Sequence, residues 1–182
     1  MKLIILDRDG VINQDSDNYV KTAREWLPLP GSLDAVARLT KAGYTIAVAT
    51  NQSGLSRGLF GIDELESMHR KMCQLAEEAG GHIDGIFYCP HLPEENCSCR
   101  KPASGLIKAI ALEFNTDLTE VPLVGDSLRD LQAGISLGCT PILVRTGKGL
   151  QTEPLLAKQD LTALQNALIF DNLSCVADYL LN

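Results

Sequence analysis

No stretch of this sequence stays apolar long enough to cross a bilayer, which takes about 20 residues in a helix, so no membrane segment is expected. No secretory leader is expected either, since one lysine and four apolar residues run straight into Asp7, too short a hydrophobic stretch for one. Cytoplasmic residence is the expectation that follows. Basic charge is in short supply, with 16 Lys and Arg against 23 Asp and Glu and a net charge of -7. A field of that sign disfavours DNA, RNA and anionic lipid as partners, so an anionic substrate has to be drawn in by a local basic patch. Internal repeats and low-complexity stretches are absent. Without a leader toward an oxidising compartment, the six cysteines read as thiols or metal ligands rather than disulfide partners. The 182 residues suffice for one substantial core and are few for two, which predicts a single globular domain over 1–182, as a monomer.

What is present is an alternation of short β-rich runs with longer helical ones, the pattern of βαβ units in a mostly parallel α/β sheet. Leu3 to Leu6 is the first strand. Ser32 predicts the cap of a helix through Leu33, Val36, Ala37 and Leu39, which Gly43 ends before a strand from Tyr44 to Thr50. A long helix from Ile62 to Ala79 closes on Gly80-Gly81, and a strand from Gly85 to Tyr88 runs into a Pro- and Cys-rich segment, Cys89 to Pro102. Helix is then expected over Ser104 to Phe114, strand over Pro122 to Gly125, helix over Leu128 to Leu137 and strand over Pro141 to Arg145. A helix over Leu155 to Gln165, a short strand over Ala167 to Phe170 and a helix from Leu173 complete the reading.

In open parallel sheets, ligands bind beyond the carboxyl ends of the strands, and the notable polar residues fall there. Asp7-Arg8-Asp9-Gly10 follows the first strand. Residues two apart in an extended segment share a face, so Asp7 and Asp9 are expected side by side, with Gly10 allowing a sharp turn. Paired carboxylates repel unless a cation joins them, and Mg²⁺ works through one or two carboxylates plus a substrate phosphate. A strand ending in a polar turn is the plainer alternative. Asp126 after the fourth strand would be a third acid at that rim, while Ser127 and Asp130 have the spacing of a helix-capping box, with Asp130 also placed to anchor metal-bound water. The Thr50 hydroxyl and the amides of Asn51 and Gln52 are placed to bind phosphate oxygens, or form no more than a polar loop with Ser53. Arg100 and Lys101 precede a helix capped by Ser104, a setting that favours anions, although a solvated pair is the commoner fate of such residues.

Cys89, His91, Cys97 and Cys99 supply four soft or borderline ligands within one loop, the inventory of a closed, structural Cys₃His zinc site. Zinc there would fix the loop and aim the adjoining basic pair. Cys73, Cys139 and Cys175 sit in apolar surroundings and read as small buried hydrophobes, and His69 and His82 stand alone.

Together, the Asp-x-Asp-Gly motif, Thr50, Lys101 and Gly125-Asp126 through Asp130 resemble the four motifs of the haloacid dehalogenase (HAD) superfamily of phosphotransferases. More narrowly, Asp7 to Asn13, Thr50 to Gly54 and the Cys/His loop with Arg100-Lys101-Pro102 are similar to the family of phosphatases acting at C7 of D-glycero-D-manno-heptose 1,7-bisphosphate, with the histidinol-phosphate phosphatases next to it. The resemblance covers nearly the whole chain. It implies a Rossmann-like sheet with helices on both faces and no separate cap, since the stretches between motifs are too short to encode one. It implies Asp7 as nucleophile, Asp9 as the acid that protonates the leaving alcohol and then activates water, and Thr50 and Lys101 as holders of the phosphoryl group. Mg²⁺ would sit on the Asp7 carboxylate, the Asp9 carbonyl and Asp126. Substrate selection would fall to Asp15, Asn18 and Tyr19, to Ser53 through Arg57, and to the zinc loop, where Arg100 grips the second phosphate of a sugar bisphosphate. That family supplies activated heptose for lipopolysaccharide. Ser127 departs from its pattern, in which a Lys often follows the fourth motif's Asp. Two rivals are histidinol-phosphate hydrolysis and a phospho-receiver signalling domain; the receiver is disfavoured because its phospho-accepting Asp normally lies well into the chain.

Overall fold

The computed structural model describes residues 1–157 and 163–182. Six parallel strands form one sheet in the order β3-β2-β1-β4-β5-β6. They are β1 (Lys2–Leu6), β2 (Tyr44–Asn51), β3 (Gly85–Cys89), β4 (Pro122–Gly125), β5 (Thr140–Val144) and β6 (Leu168–Phe170). β1 is central, hydrogen-bonded to β2 through Lys2↔Tyr44 to Leu6↔Val48 and to β4 through Ile5↔Leu123 and Leu6↔Val124.

Strand periodicity divides the core. Ile4 and Leu6 join Ile46, Val48 and residues of α1 (Ser32–Lys41), α2 (Ile62–Glu78) and α6 (Leu173–Leu181), among them Val36, Leu39, Met68, Met72 and Val176. Leu3, Ile5, Ala47 and Ala49 face the other way, onto Leu106, Ile107 and Ile110 of α3 (Gly105–Glu113) and Ala133 of α4 (Leu128–Ile135). Both faces are thus covered, and β1, apolar on each side, reads as a continuous hydrophobic run. Each such side chain withdrawn from water contributes about 1.5–3 kcal/mol.

Several local expectations differ. Ser32 is the first residue of α1 rather than its cap; Gly31 occupies the cap in the left-handed region (φ 76), and the Ser32 hydroxyl donates to Ile12 O at 2.6 Å, tying the entry of α1 to the loop after β1. Ser104 stands at the α3 cap without a side-chain capping bond. α4 ends at Ile135, two residues before Leu137, and β3 extends to Cys89, so the first cysteine of the Cys/His loop lies on a strand end. The helix expected over 155–165 begins as a 3₁₀ turn, Glu153–Ala157, after a short α5 (Gly149–Thr152), and its middle, 158–162, lies outside the described residues. Cys139 is buried, while Cys73 and Cys175 are half-buried.

Candidate active site

The carboxyl ends of β1, β2 and β4, with the Cys/His loop and the segment after β5, enclose a cleft of about 240 Å³. Asp7 leaves β1 and donates its N–H to Val124 O at 2.9 Å, so the sheet ladder continues through the residue that carries the carboxylate. The carboxylate accepts the Arg8 N–H at 2.7 Å and Lys101 Nζ at 2.9 Å. Lys101 is buried, and its ammonium also reaches Asp130 at 2.6 Å and Ala49 O at 2.7 Å. All three of its donors are spent on β1, β2 and α4. Burial alone would lower the Lys101 pKa, but Asp130 and Asp7 outweigh it and hold the ammonium charged.

Asp7, Asp126 and Asp130 gather carboxylate oxygens within 4.8 Å of one another. Burial and the charge of Asp130 push Asp7 up to about 7, and burial with Asp7 and Asp130 pushes Asp126 up to about 8. Asp130 goes the other way: burial would raise it, but Lys101 holds it down. Desolvated acids in such proximity lack positive charge, and hard oxygen donors at this spacing fit Mg²⁺. The surroundings are shaped to Asp126: a Cβ at either Gly10 or Gly147 would strike its carboxylate, which accepts the Lys148 N–H at 2.8 Å. Both glycines have positive φ, 84 and 57, so a side chain there is strained as well as obstructed.

Asp9 lines the same cleft but is not one of the three acids gathered at Asp7, since β1 ends at Leu6 and other groups hold its side chain. Its carboxylate is taken by Arg8, whose Nε and Nη2 donate at 2.9 to 3.1 Å, by Asn13 at 2.8 Å and by Gln52 at 2.9 Å. Burial opposes its ionisation, yet Arg8, Asn13 and Gln52 lower its pKa. The same Gln52 amide donates to the Thr50 hydroxyl at 2.9 Å, while its backbone N–H goes to Cys89 O, so Gln52 links two expected phosphate-handling residues rather than offering itself. Asn51 is likewise engaged, exchanging hydrogen bonds of 3.0 and 3.1 Å with the Lys101 backbone.

Of the residues expected around the substrate, Asp15, Tyr19, Asn51, Gln52, Ser53 and Arg100 line the cleft with Asp7, Asp9, Thr50, Lys101 and Asp126. Asn18 and Arg57 do not; both are exposed, and the Asn18 carbonyl accepts the Lys21 ammonium. Sequence reasoning gave no role to Arg8, Asn13, Arg129 or Lys148, and weighted Asp130 toward capping. Asp130 does accept the Ser127 N–H at 3.0 Å and hydroxyl at 2.6 Å, but it also completes the acid cluster. The signal for Asp130 was Gly125, which lies against it: a Cβ there would strike the Asp130 side chain.

Cys89, His91, Cys97 and Cys99 converge with sulfur–sulfur separations of 3.2 to 3.6 Å, and His91 Nδ1 is 3.2 and 3.5 Å from Cys99 and Cys89. Zinc–sulfur bonds near 2.3 Å in a tetrahedron place the sulfurs roughly 3.7 Å apart, so the four donors fit Zn²⁺. The Arg100 N–H donates to Cys97 Sγ at 3.3 Å, which joins this cluster directly to the basic pair.

A family model described as HAD-hydrolase-like matches residues 98–174, and one described as polynucleotide kinase 3 phosphatase matches 2–133. D-glycero-β-D-manno-heptose-1,7-bisphosphate 7-phosphatase of Neisseria meningitidis serogroup B is 52% identical over 100% of this chain and 95% of its own length. The enzyme of that name from Pseudomonas putida is 52% identical over 97% of this chain and 98% of its own. A crystal structure of D,D-heptose 1,7-bisphosphate phosphatase from Bordetella bronchiseptica, complexed with magnesium and phosphate, superposes with a TM-score of 0.94 at 51% identity, covering 100% of this chain and 98% of that one. The chain belongs to the D-glycero-β-D-manno-heptose-1,7-bisphosphate 7-phosphatase family of HAD-type phosphatases.

Proposed function

We propose, with that family membership as premise, that this protein is a Mg²⁺-dependent phosphatase that releases the C7 phosphate of D-glycero-D-manno-heptose 1,7-bisphosphate, in the cytoplasmic supply of activated heptose. Residues 1–182 act as one catalytic domain without a cap, as a monomer. The observation that carries the reading is Asp7: a buried carboxylate at the carboxyl end of the central strand, paired with Lys101 at 2.9 Å and facing Asp126 and Asp130.

An oxygen of Asp7 attacks phosphorus, the bond from phosphorus to the C7 oxygen breaks, and Asp9, which has first to take up a proton because Arg8 lowers its pKa in the resting site, delivers that proton to the oxygen. Asp9 then takes a proton from a water that attacks the aspartyl phosphate, which restores the Asp7 carboxylate and frees inorganic phosphate. The Thr50 hydroxyl and Lys101, whose ammonium gives up one of its three protein partners to the incoming phosphate, hold the phosphoryl oxygens. Arg8, Asn13 and Gln52 hold the Asp9 carboxylate in one orientation across both halves. The Asp7 and Asp126 carboxylates with the Asp9 carbonyl would hold Mg²⁺, which would supply positive charge against a carboxylate and a phosphate that otherwise repel each other. Asp130 keeps Lys101 in place beside it. Cys89, His91, Cys97 and Cys99 would hold Zn²⁺ in a structural role, setting the backbone that leads into Arg100 and Lys101. Arg100 meets the non-reacting phosphate, with Asp15, Tyr19 and Ser53 around the sugar.

Phosphate release measured from the heptose bisphosphate, with histidinol phosphate beside it, tests the reading. Mg²⁺-dependent turnover of the bisphosphate, abolished in Asp7→Asn while the fold persists, is the expected result. A wild-type protein inert on the bisphosphate overturns it.

A further inference from the structure

The cleft is lined by five cations, and three of them are already matched by carboxylates. Arg8 is bonded to Asp9. Lys101 lies between Asp7 and Asp130. Lys148 reaches Asp15 at 3.4 Å and Asp17 at 3.7 Å. Among the described residues, Arg100 and Arg129 are the lining cations with no carboxylate within ion-pair distance, and the Arg100 guanidinium makes one hydrogen bond, to His91 O at 3.3 Å.

Arg129 is exposed at the second position of α4, immediately before Asp130. Positive charge in the first turn of a helix opposes the macrodipole, so helix stability does not account for an arginine there. Arg129 stands three positions after Asp126 and lines the same cleft. A sugar bisphosphate carries a second dianion away from the reacting centre, and a guanidinium binds phosphate oxygens through two parallel hydrogen bonds.

We infer that Arg129 is a specificity-determining residue: with Arg100, which lines the same cleft, it forms a two-arginine clamp on the distal phosphate of a sugar 1-phosphate moiety. The inference deepens the proposed function and rests on it for the identity of the substrate. Lys101 serves the reacting phosphate and Arg129 the spectator one, so the two cations are separable by substrate.

The test compares kcat/KM on heptose 1,7-bisphosphate with kcat/KM on p-nitrophenyl phosphate, which has no second phosphate. Arg129→Ala should lower the ratio of the two by about tenfold, as loss of one charged hydrogen-bonding pair does, mainly through KM, and Arg129→Lys should lower it less. A ratio equal to the wild-type one, or a loss shared equally by both substrates, overturns the clamp. Calorimetric binding of mannose 1-phosphate keeps the two readings distinct. If wild-type protein fails to turn over the bisphosphate, the proposed function falls. Weaker mannose 1-phosphate binding in Arg129→Ala then still supports the clamp, and binding equal to wild type, or none in either protein, overturns it.

Discussion

Lys101 holds two buried acids together beside the proposed reacting centre. With its ammonium gone, Asp7 and Asp130 face each other buried and unpaired, a situation that costs about 3–5 kcal/mol where one partner of a buried pair is removed. Lys101→Met is therefore expected to abolish turnover and to lower the denaturant midpoint, and an unchanged midpoint would show that the acids find other support. The raised carboxylates set a pH dependence. Asp7 near 7 and Asp126 near 8 bind protons more tightly folded than unfolded, where they would titrate near 3.8. Their contribution to stability in metal-free protein is complete below that unfolded value and is lost as pH rises to about 8. Mg²⁺ competes for the same oxygens, so its effect on Tm should be greater at pH 8 than at pH 5.5, as thermal melts with and without the metal will show. Gly10→Ala should weaken that Mg²⁺ effect, since its Cβ would occupy the space of the Asp126 carboxylate.

At the scale of elements, what could be read in advance was chemistry carried by strand ends. The runs Leu3–Leu6 and Pro122–Gly125, each followed by aspartate, mark where β1 and β4 deliver acids, and both strands lie where hydrophobicity put them. Side-chain direction past the last ladder residue was not legible. Period-two reasoning placed Asp9 beside Asp7, but β1 stops at Leu6 and Arg8, a fully buried arginine, claims Asp9. Nothing in local spacing distinguishes that arginine from a solvated one, because its burial is decided by loop and helix packing from elsewhere in the chain. Asp130 is similar: the capping-box spacing is real, yet its second role needs α4 to lie across β4 at Gly125. The Cys/His loop was legible because its ligands are close in sequence and chemically unusual together. Atomic absorption should find one equivalent of zinc in the wild-type protein and none in Cys97→Ser, with turnover lowered through Lys101. Full metal content in that variant would show that the ligand set is different.

The whole molecule carries a net charge of -7 around a site built for a polyanion. Its long-range field repels the substrate, and attraction begins only at the cations of the cleft. Salt screens the long-range part first, since the Debye length falls from about 30 Å at 0.01 M to about 8 Å at 0.15 M. kcat/KM for a bisphosphate should therefore hold or rise over that interval of ionic strength, and a steep fall would mean that the basic rim dominates at a distance. The sheet order β3-β2-β1-β4-β5-β6 has a further consequence. β1 is hydrogen-bonded along both edges and packed on both faces, and Asp7 continues its ladder through Val124. Backbone amides of Ile4 through Asp7 should thus be among the last to exchange with deuterium, opening only when the entire chain unravels. With Asp7 as the proposed nucleophile on that segment, no half-active form is expected: catalysis and the native state should vanish at the same temperature.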